Sequence, residues 1–129
     1  MKQFSEKITE VISGEIEKIK AIFEWVATNI QYGSKKRKPR VIYRGALQVY
    51  QDKEGVCGES ATLQVTLERL VGNKAFLVEV GEKHACAAHL KPDNTIILIE
   101  TTHKNGYNTQ YPDFKILSDD YSFTCTGYD

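Results

Sequence analysis

Net charge, cysteine and long apolar stretches are all scarce in this chain. Its 17 basic and 17 acidic side chains leave a formal net charge of 0 over 129 residues, so nothing global draws it toward nucleic acid or an anionic membrane. No apolar run reaches the roughly 20 residues of a membrane span. The opening Met1-Lys2-Gln3-Phe4-Ser5-Glu6 lacks the apolar core of a secretory leader. The expectation is a cytoplasmic protein without a membrane partner. Cys57, Cys86 and Cys125 make an odd set of three, which argues against a disulfide framework and for free thiols in a reducing compartment. Cys57, His84, Cys86 and His89 are zinc-ligand residue types, but no Cys-x-x-Cys pair exists, so no metal site is expected. Internal repeats and linker-like segments are absent too, which implies one domain over 1–129. An apolar content of 41% and a charged content of 26% are ordinary for a globular protein with one core.

The first half reads as helical. Phe4, Ile8, Val11, Ile12, Ile16, Ile19, Ile22, Phe23, Val26 and Ile30 recur at intervals of three and four and form one face. Ser13-Gly14 divides the pattern. Ser13 suits the N-cap of a second helix, with Glu15 and Glu17 in its positive first turn, and that helix should end near Asn29-Ile30. Of the last six residues in Ser34-Lys35-Lys36-Arg37-Lys38-Pro39-Arg40, five are basic. No aromatic residue interleaves them and no glycine cradle accompanies them, so a solvated loop is favoured over a nucleic-acid or phosphate contact. Ala46, Leu47, Val49 and Tyr50 fit a short helix, and Gln51 to Gly55 reads as a polar loop. From Cys57 to about Val71 the chain is apolar almost all round, which predicts a buried helix stopped by Gly72-Asn73.

The second half changes period. Ala75–Val80, His84–Leu90 and Thr95–Glu100 read as three strands, separated by turns at Gly81-Glu82-Lys83 and Lys91-Pro92-Asp93-Asn94. Such short connections imply an antiparallel meander. Phe114–Leu117 and Tyr121–Cys125 are candidate edge strands. The fold class is therefore α+β, with helices in the first half and an antiparallel β-sheet in the second.

One constellation carries chemistry. Cys57 stands at a predicted helix start, where unpaired N–H groups and the macrodipole favour a thiolate. Gly55 and Gly58 let a substrate approach the backbone closely, and the Cys57 N–H can donate to an oxyanion. A hairpin turning near Pro92-Asp93 brings His84 opposite residue 100 or 101, which makes Glu100 its neighbour. The carboxylate would then fix the imidazole tautomer and stabilise the imidazolium. Alternation puts Cys86 on the His84 face and His89 on the other, so His89 is the weaker base. Gln51, six residues before Cys57, is a candidate oxyanion donor, with Gln48 and Tyr50 as rivals. No cofactor is implied.

Gly55-Val56-Cys57-Gly58-Glu59-Ser60-Ala61, Lys83-His84-Ala85 and Ile99-Glu100-Thr101-Thr102 occur in the order cysteine, histidine, carboxylate. Together they resemble the transglutaminase-like branch of the papain-like thiol enzymes, over roughly residues 14–102. The cysteine motif is also similar to that of peptide N-glycanases. The resemblance implies a papain-like fold with a helical layer packed on an antiparallel β-sheet, a Cys57–His84–Glu100 triad, a protein or peptide substrate, and acyl transfer through a thioester, whether as deglycosylation, proteolysis or amide crosslinking. Two departures stand out. Glutamate replaces the commoner aspartate, and Cys86 stands two residues after His84, where the family often has an aromatic. The alternative is an inactive transglutaminase-like fold serving as a protein- or peptide-binding module.

Overall fold

A computed structural model describes residues 1–9, 14–32, 45–80, 84–102, 106–108 and 113–117. The basic loop, the 81–83 turn, Ser13, His103 and the proposed Tyr121–Cys125 strand lie outside them. Among the described residues, four helices precede a sheet: α1 (Lys2–Thr9), α2 (Glu15–Asn29), α3 (Ala46–Asp52) and α4 (Cys57–Leu70). Two short strands, β1 (Gln31–Tyr32) and β2 (Glu54–Gly55), lie among them. The sheet strands are β3 (Ala75–Val80), β4 (His84–Leu90), β5 (Ile96–Ile99) and β6 (Phe114–Ile116).

Helix α2 starts behind Gly14, which occupies the N-cap with no side-chain cap bond. Glu15 and Glu17 lie in its first turn, where the helix dipole favours them. Its Ile19 and Phe23 pack with Ala61 and Val65 of α4 and with Ala75, Ala87, Ile97 and Ile99 of the sheet. This is the core between the layers. Ile22 and Val26 join Val49, Leu63 and Leu67 in a second cluster among the helices. The Ser5 hydroxyl of α1 donates to the Leu67 carbonyl at 2.6 Å, which fastens α1 to α4.

Helix α3 runs farther than the expected loop allows. Gln51 and Asp52 are helical, because the buried Val49 anchors the last turn and its carbonyl accepts the Lys53 N–H at 2.8 Å. Lys53 ends the helix in the left-handed conformation, φ 58°. The chain then forms β2, which pairs in parallel with β1 through Gln31↔Glu54 and Tyr32↔Gly55. Strands this short leave no periodic trace in a sequence.

The sheet order is β5-β4-β3-β6, antiparallel at every pairing. The β4–β5 ladder runs from Leu90↔Ile96 to Ala87↔Ile99. Its centre is Asp93, slightly later than the sequence suggested. Asp93 fixes the turn by accepting from the Thr95 N–H at 3.0 Å and the Thr95 hydroxyl at 2.6 Å, and Asn94 takes φ 70°. Extended by three residues, this register sets His84 across from residue 102 and Cys86 across from Glu100. His84 and Glu100 therefore meet diagonally on one face instead of directly opposite.

Candidate active site

Cys57 is the first residue of α4, behind Val56 as N-cap. Valine has no oxygen to cap with. The carboxylate of Glu59 instead reaches back and accepts the Val56 N–H at 3.0 Å, the returning half of a capping box. The mini-sheet delivers Gly55 to this point. A Cβ on Gly55 would lie 3.0 Å from the Glu59 Cβ and 3.3 Å from a Val49 methyl, so the strand-to-helix junction is tight. Cys57 is fully buried.

His84 opens β4, across from Val80 of β3. Its Nε2 bonds to Oε2 of Glu100. The other ring nitrogen, Nδ1, is thus left for Cys57, with which His84 also hydrogen-bonds. That bond, and next the bond to Glu100, outweigh burial and raise the His84 pKa from its ordinary 6.5 to about 10. The ring therefore carries its proton at neutral pH. Burial works against the Glu100 charge, but the bonds from His84 and Thr102 prevail and hold its carboxyl below the usual range. The side chain of His84 is 26% exposed and that of Glu100 3%. Of the three residues, only the imidazole is appreciably exposed to solvent.

The structure thus brings Cys57, His84 and Glu100 together. It sets Gln51 on the exposed side of α3. Its rivals are occupied: Gln48 donates to Asp52 at 3.0 Å, and Tyr50 packs among Phe4 and Trp25 with the Lys53 ammonium over its ring. Cys86 is buried against Val78, Val80, Ala88 and Leu98. Burial, with the nearby Glu100 and Cys57 charges, pushes its thiol up to about 12. It is a neutral filler beside the site at physiological pH.

His89 faces the helices. Its Nδ1 lies 3.3 Å from Glu68 of α4 and its Nε2 3.4 Å from Glu15 of α2. Gln64 donates to the same Glu68 at 2.9 Å. Burial disfavours the His89 charge, but the two carboxylates outweigh it and raise the histidine. Burial raises Glu68, and the pull of His89 and Gln64 does not cancel it. With His89 on this face, Cys57, His84 and Cys86 have lost it as a possible fourth ligand. Among the described residues no group of three or more His, Cys, Asp or Glu could hold a metal ion.

Sequence reasoning passed over Ser60, Thr101 and Thr102. The Thr102 hydroxyl and N–H both donate to Oε1 of Glu100, at 2.7 and 3.2 Å. Thr101 meets Ser60 of α4 hydroxyl to hydroxyl at 2.8 Å. The one available signal was a short hydroxyl residue two positions after a carboxylate, a spacing at which side chains and backbone bond locally.

The chain matches the model of the transglutaminase-like superfamily over residues 2–93. The chain belongs to this superfamily. The matched stretch includes Cys57 and His84 and stops before Glu100. No curated protein matches the chain. Among solved structures, a candidate cysteine protease from Cytophaga hutchinsonii is 21% identical, with a TM-score of 0.67 over 99% of this chain and 54% of that one. A candidate protease from Parabacteroides distasonis is 18% identical, with a TM-score of 0.58 over 75% of this chain and 22% of that one. At these identities the likeness is one of fold: transglutaminase-like, papain-like α+β. The chain spans about half the length of the first of these neighbours. Among the described residues, no helix is long and apolar enough to cross a membrane.

Proposed function

We propose that this transglutaminase-like chain attacks amide or peptide carbonyls through Cys57. The observation that carries the reading is the His84 ring, bonded on one side to a buried carboxylate and on the other to the thiol at a helix start. A ring charged at neutral pH stabilises a thiolate beside it, and the α4 dipole acts in the same sense.

The steps follow from that pairing. Cys57 Sγ attacks the carbonyl carbon, and the oxyanion is met by the Cys57 N–H. His84 gives its Nδ1 proton to the departing amine, which leaves a thioester. Water or an amine then attacks, His84 takes the proton back, and Cys57 leaves as thiolate. Glu100 holds the ring and stays ionised. The substrate class is a protein or peptide. Water as acceptor makes the chain a hydrolase, and an amine makes it a transferase.

The test is the iodoacetamide alkylation rate of each cysteine against pH, read by peptide mass spectrometry. Cys86 and Cys125 serve as internal references. Because Cys57 is buried, the shape of its pH profile is more informative than its absolute rate. A functioning pair keeps Cys57 reactive at about pH 6, well below the free-thiol range near 8.5, and His84→Ala removes that acid limb. A Cys57 profile that rises only with free thiols would leave the inactive binding module as the reading to pursue.

A further inference from the structure

The segment after Glu100 is pinned on both sides. Ahead of it, the Glu100 N–H donates to the Gly106 carbonyl at 2.8 Å, and a Cβ on Gly106 would overlap the Glu100 carbonyl oxygen. Behind it, Thr101 is bound to Ser60, one helical turn past Cys57. Ser60 Oγ also lies 3.2 Å from the carbonyls of Val56 and Cys57. One proton arrangement satisfies all of these groups: Thr101 donates to Ser60, and Ser60 donates to a carbonyl of the helix start. Both residues are buried, at 2% and 3% exposure. The first turn of α4 and the Glu100 segment are therefore held in one register by a buried hydroxyl chain.

Thr102 occupies the next position. Its hydroxyl and N–H both reach Oε1 of Glu100, while Oε2 serves His84. The terminal torsion of a glutamate is intrinsically soft, with broad and roughly two-fold wells. Two donors on one oxygen stiffen it and aim the other oxygen at the ring. We propose that Thr102 is a positioning residue for the Cys57–His84 pair, acting through Glu100. It does not touch the reacting atoms. The inference rests on the function proposed above.

Thr102→Val keeps the shape and removes the hydroxyl, whereas Thr102→Ser keeps the hydroxyl. The Cys57 alkylation profile of the whole chain is measured for wild type and both variants, alongside thermal melting. Thr102→Val is expected to lose about tenfold in alkylation rate at about pH 6, the factor set by one charge-assisted hydrogen bond. Thr102→Ser is expected to restore the wild-type profile. A purely structural role would lower the melting temperature without moving the pH profile. If Thr102→Val does not fold, Thr102→Ala takes its place under the same criterion. A hydroxyl-free variant that reproduces a wild-type profile with its acid limb present would overturn the role of Thr102 alone. A wild type lacking that limb would overturn the function and this inference together.

Discussion

Cys57→Ala and Glu100→Gln should both lower the His84 titration, the first by more than the second. In the intact chain the value stands at about 10 against an ordinary 6.5. At ~1.4 kcal/mol per pH unit, that difference is worth about 5 kcal/mol of preference for the charged ring. The hydrogen bond to Cys57 is the largest contributor, followed by the bond to Glu100, with burial opposing both. Cys57→Ala removes the first contribution entirely. Glu100→Gln removes the charge but leaves an amide oxygen able to accept from Nε2, so part of the second survives. The assay is the pH dependence of the His84 ring nitrogens by NMR in the whole chain, with His89 and His103 as references. A larger fall in Glu100→Gln than in Cys57→Ala would refute the assigned order. A value near 10 in both variants would remove the coupled set altogether. Stability should follow with a definite sign. A raised histidine stabilises the fold fully below its unfolded value of 6.5 and loses that contribution as pH rises through about 10. Alkaline destabilisation should therefore be steeper in wild type than in His84→Ala. Glu100 is lowered, so its contribution is present at neutral pH and fades on the acid side.

Gly106→Ala should destabilise the fold by roughly 2 kcal/mol, because the added Cβ meets the Glu100 carbonyl, a backbone group that cannot turn aside. Urea unfolding measures the loss, and Cys57 alkylation should slow with it if Glu100 is displaced. His89→Leu should cost about 3 kcal/mol near neutral pH by stranding the buried Glu68 charge. Glu68 is already raised, so its ionised form weakens the fold as pH climbs past 4.5, and losing His89 steepens that slope. Urea unfolding near pH 5 and near pH 7 should show partial recovery at the lower value, and a pH-independent deficit would contradict the pairing.

Much of this fold was legible because its elements are long or sharply punctuated. The α4 boundaries follow from glycine before Cys57 and Gly72-Asn73 at the far end, where Gly72 adopts φ 88°. Strand β5 was marked by its β-branched run, and β4 by the turn residues that bracket it in the sequence, Gly81-Glu82-Lys83 and Lys91-Pro92-Asp93-Asn94. Two-residue strands have no periodicity, so the β1–β2 pairing was hidden. The end of α3 was misjudged because Gln51 and Asp52 are polar, and the buried Val49 that anchors the turn lies before them. The hairpin register erred by one to two residues, yet His84 and Glu100 remain neighbours, because Glu100 lies two residues from the position across from His84. The Ser60–Thr101 contact depends on how α4 crosses the sheet end, a tertiary relation across 41 positions that no local pattern encodes, whereas the Thr102 bonds to Glu100 are local and follow from their two-residue spacing.

Strand β4 carries two histidines, and each has a carboxylate within reach, so a charge pair alone does not distinguish chemistry from structure. Their surroundings do. His89 is sealed from solvent between Glu15 and Glu68, with a carboxylate at each nitrogen and a helix on either side. A proton held there can neither reach a substrate nor exchange readily, and the cluster serves to tie α2 and α4 to the sheet. His84 has one nitrogen fixed by Glu100 and the other directed to a thiol, and a quarter of its side chain meets solvent. Fixing one nitrogen sets the tautomer and leaves the second available for proton transfer, which acyl transfer requires of its acid and base. The separation of five positions between the two histidines puts them on opposite faces of one strand. The same residue type can therefore brace the core at one end of β4 and face the candidate nucleophile at the other.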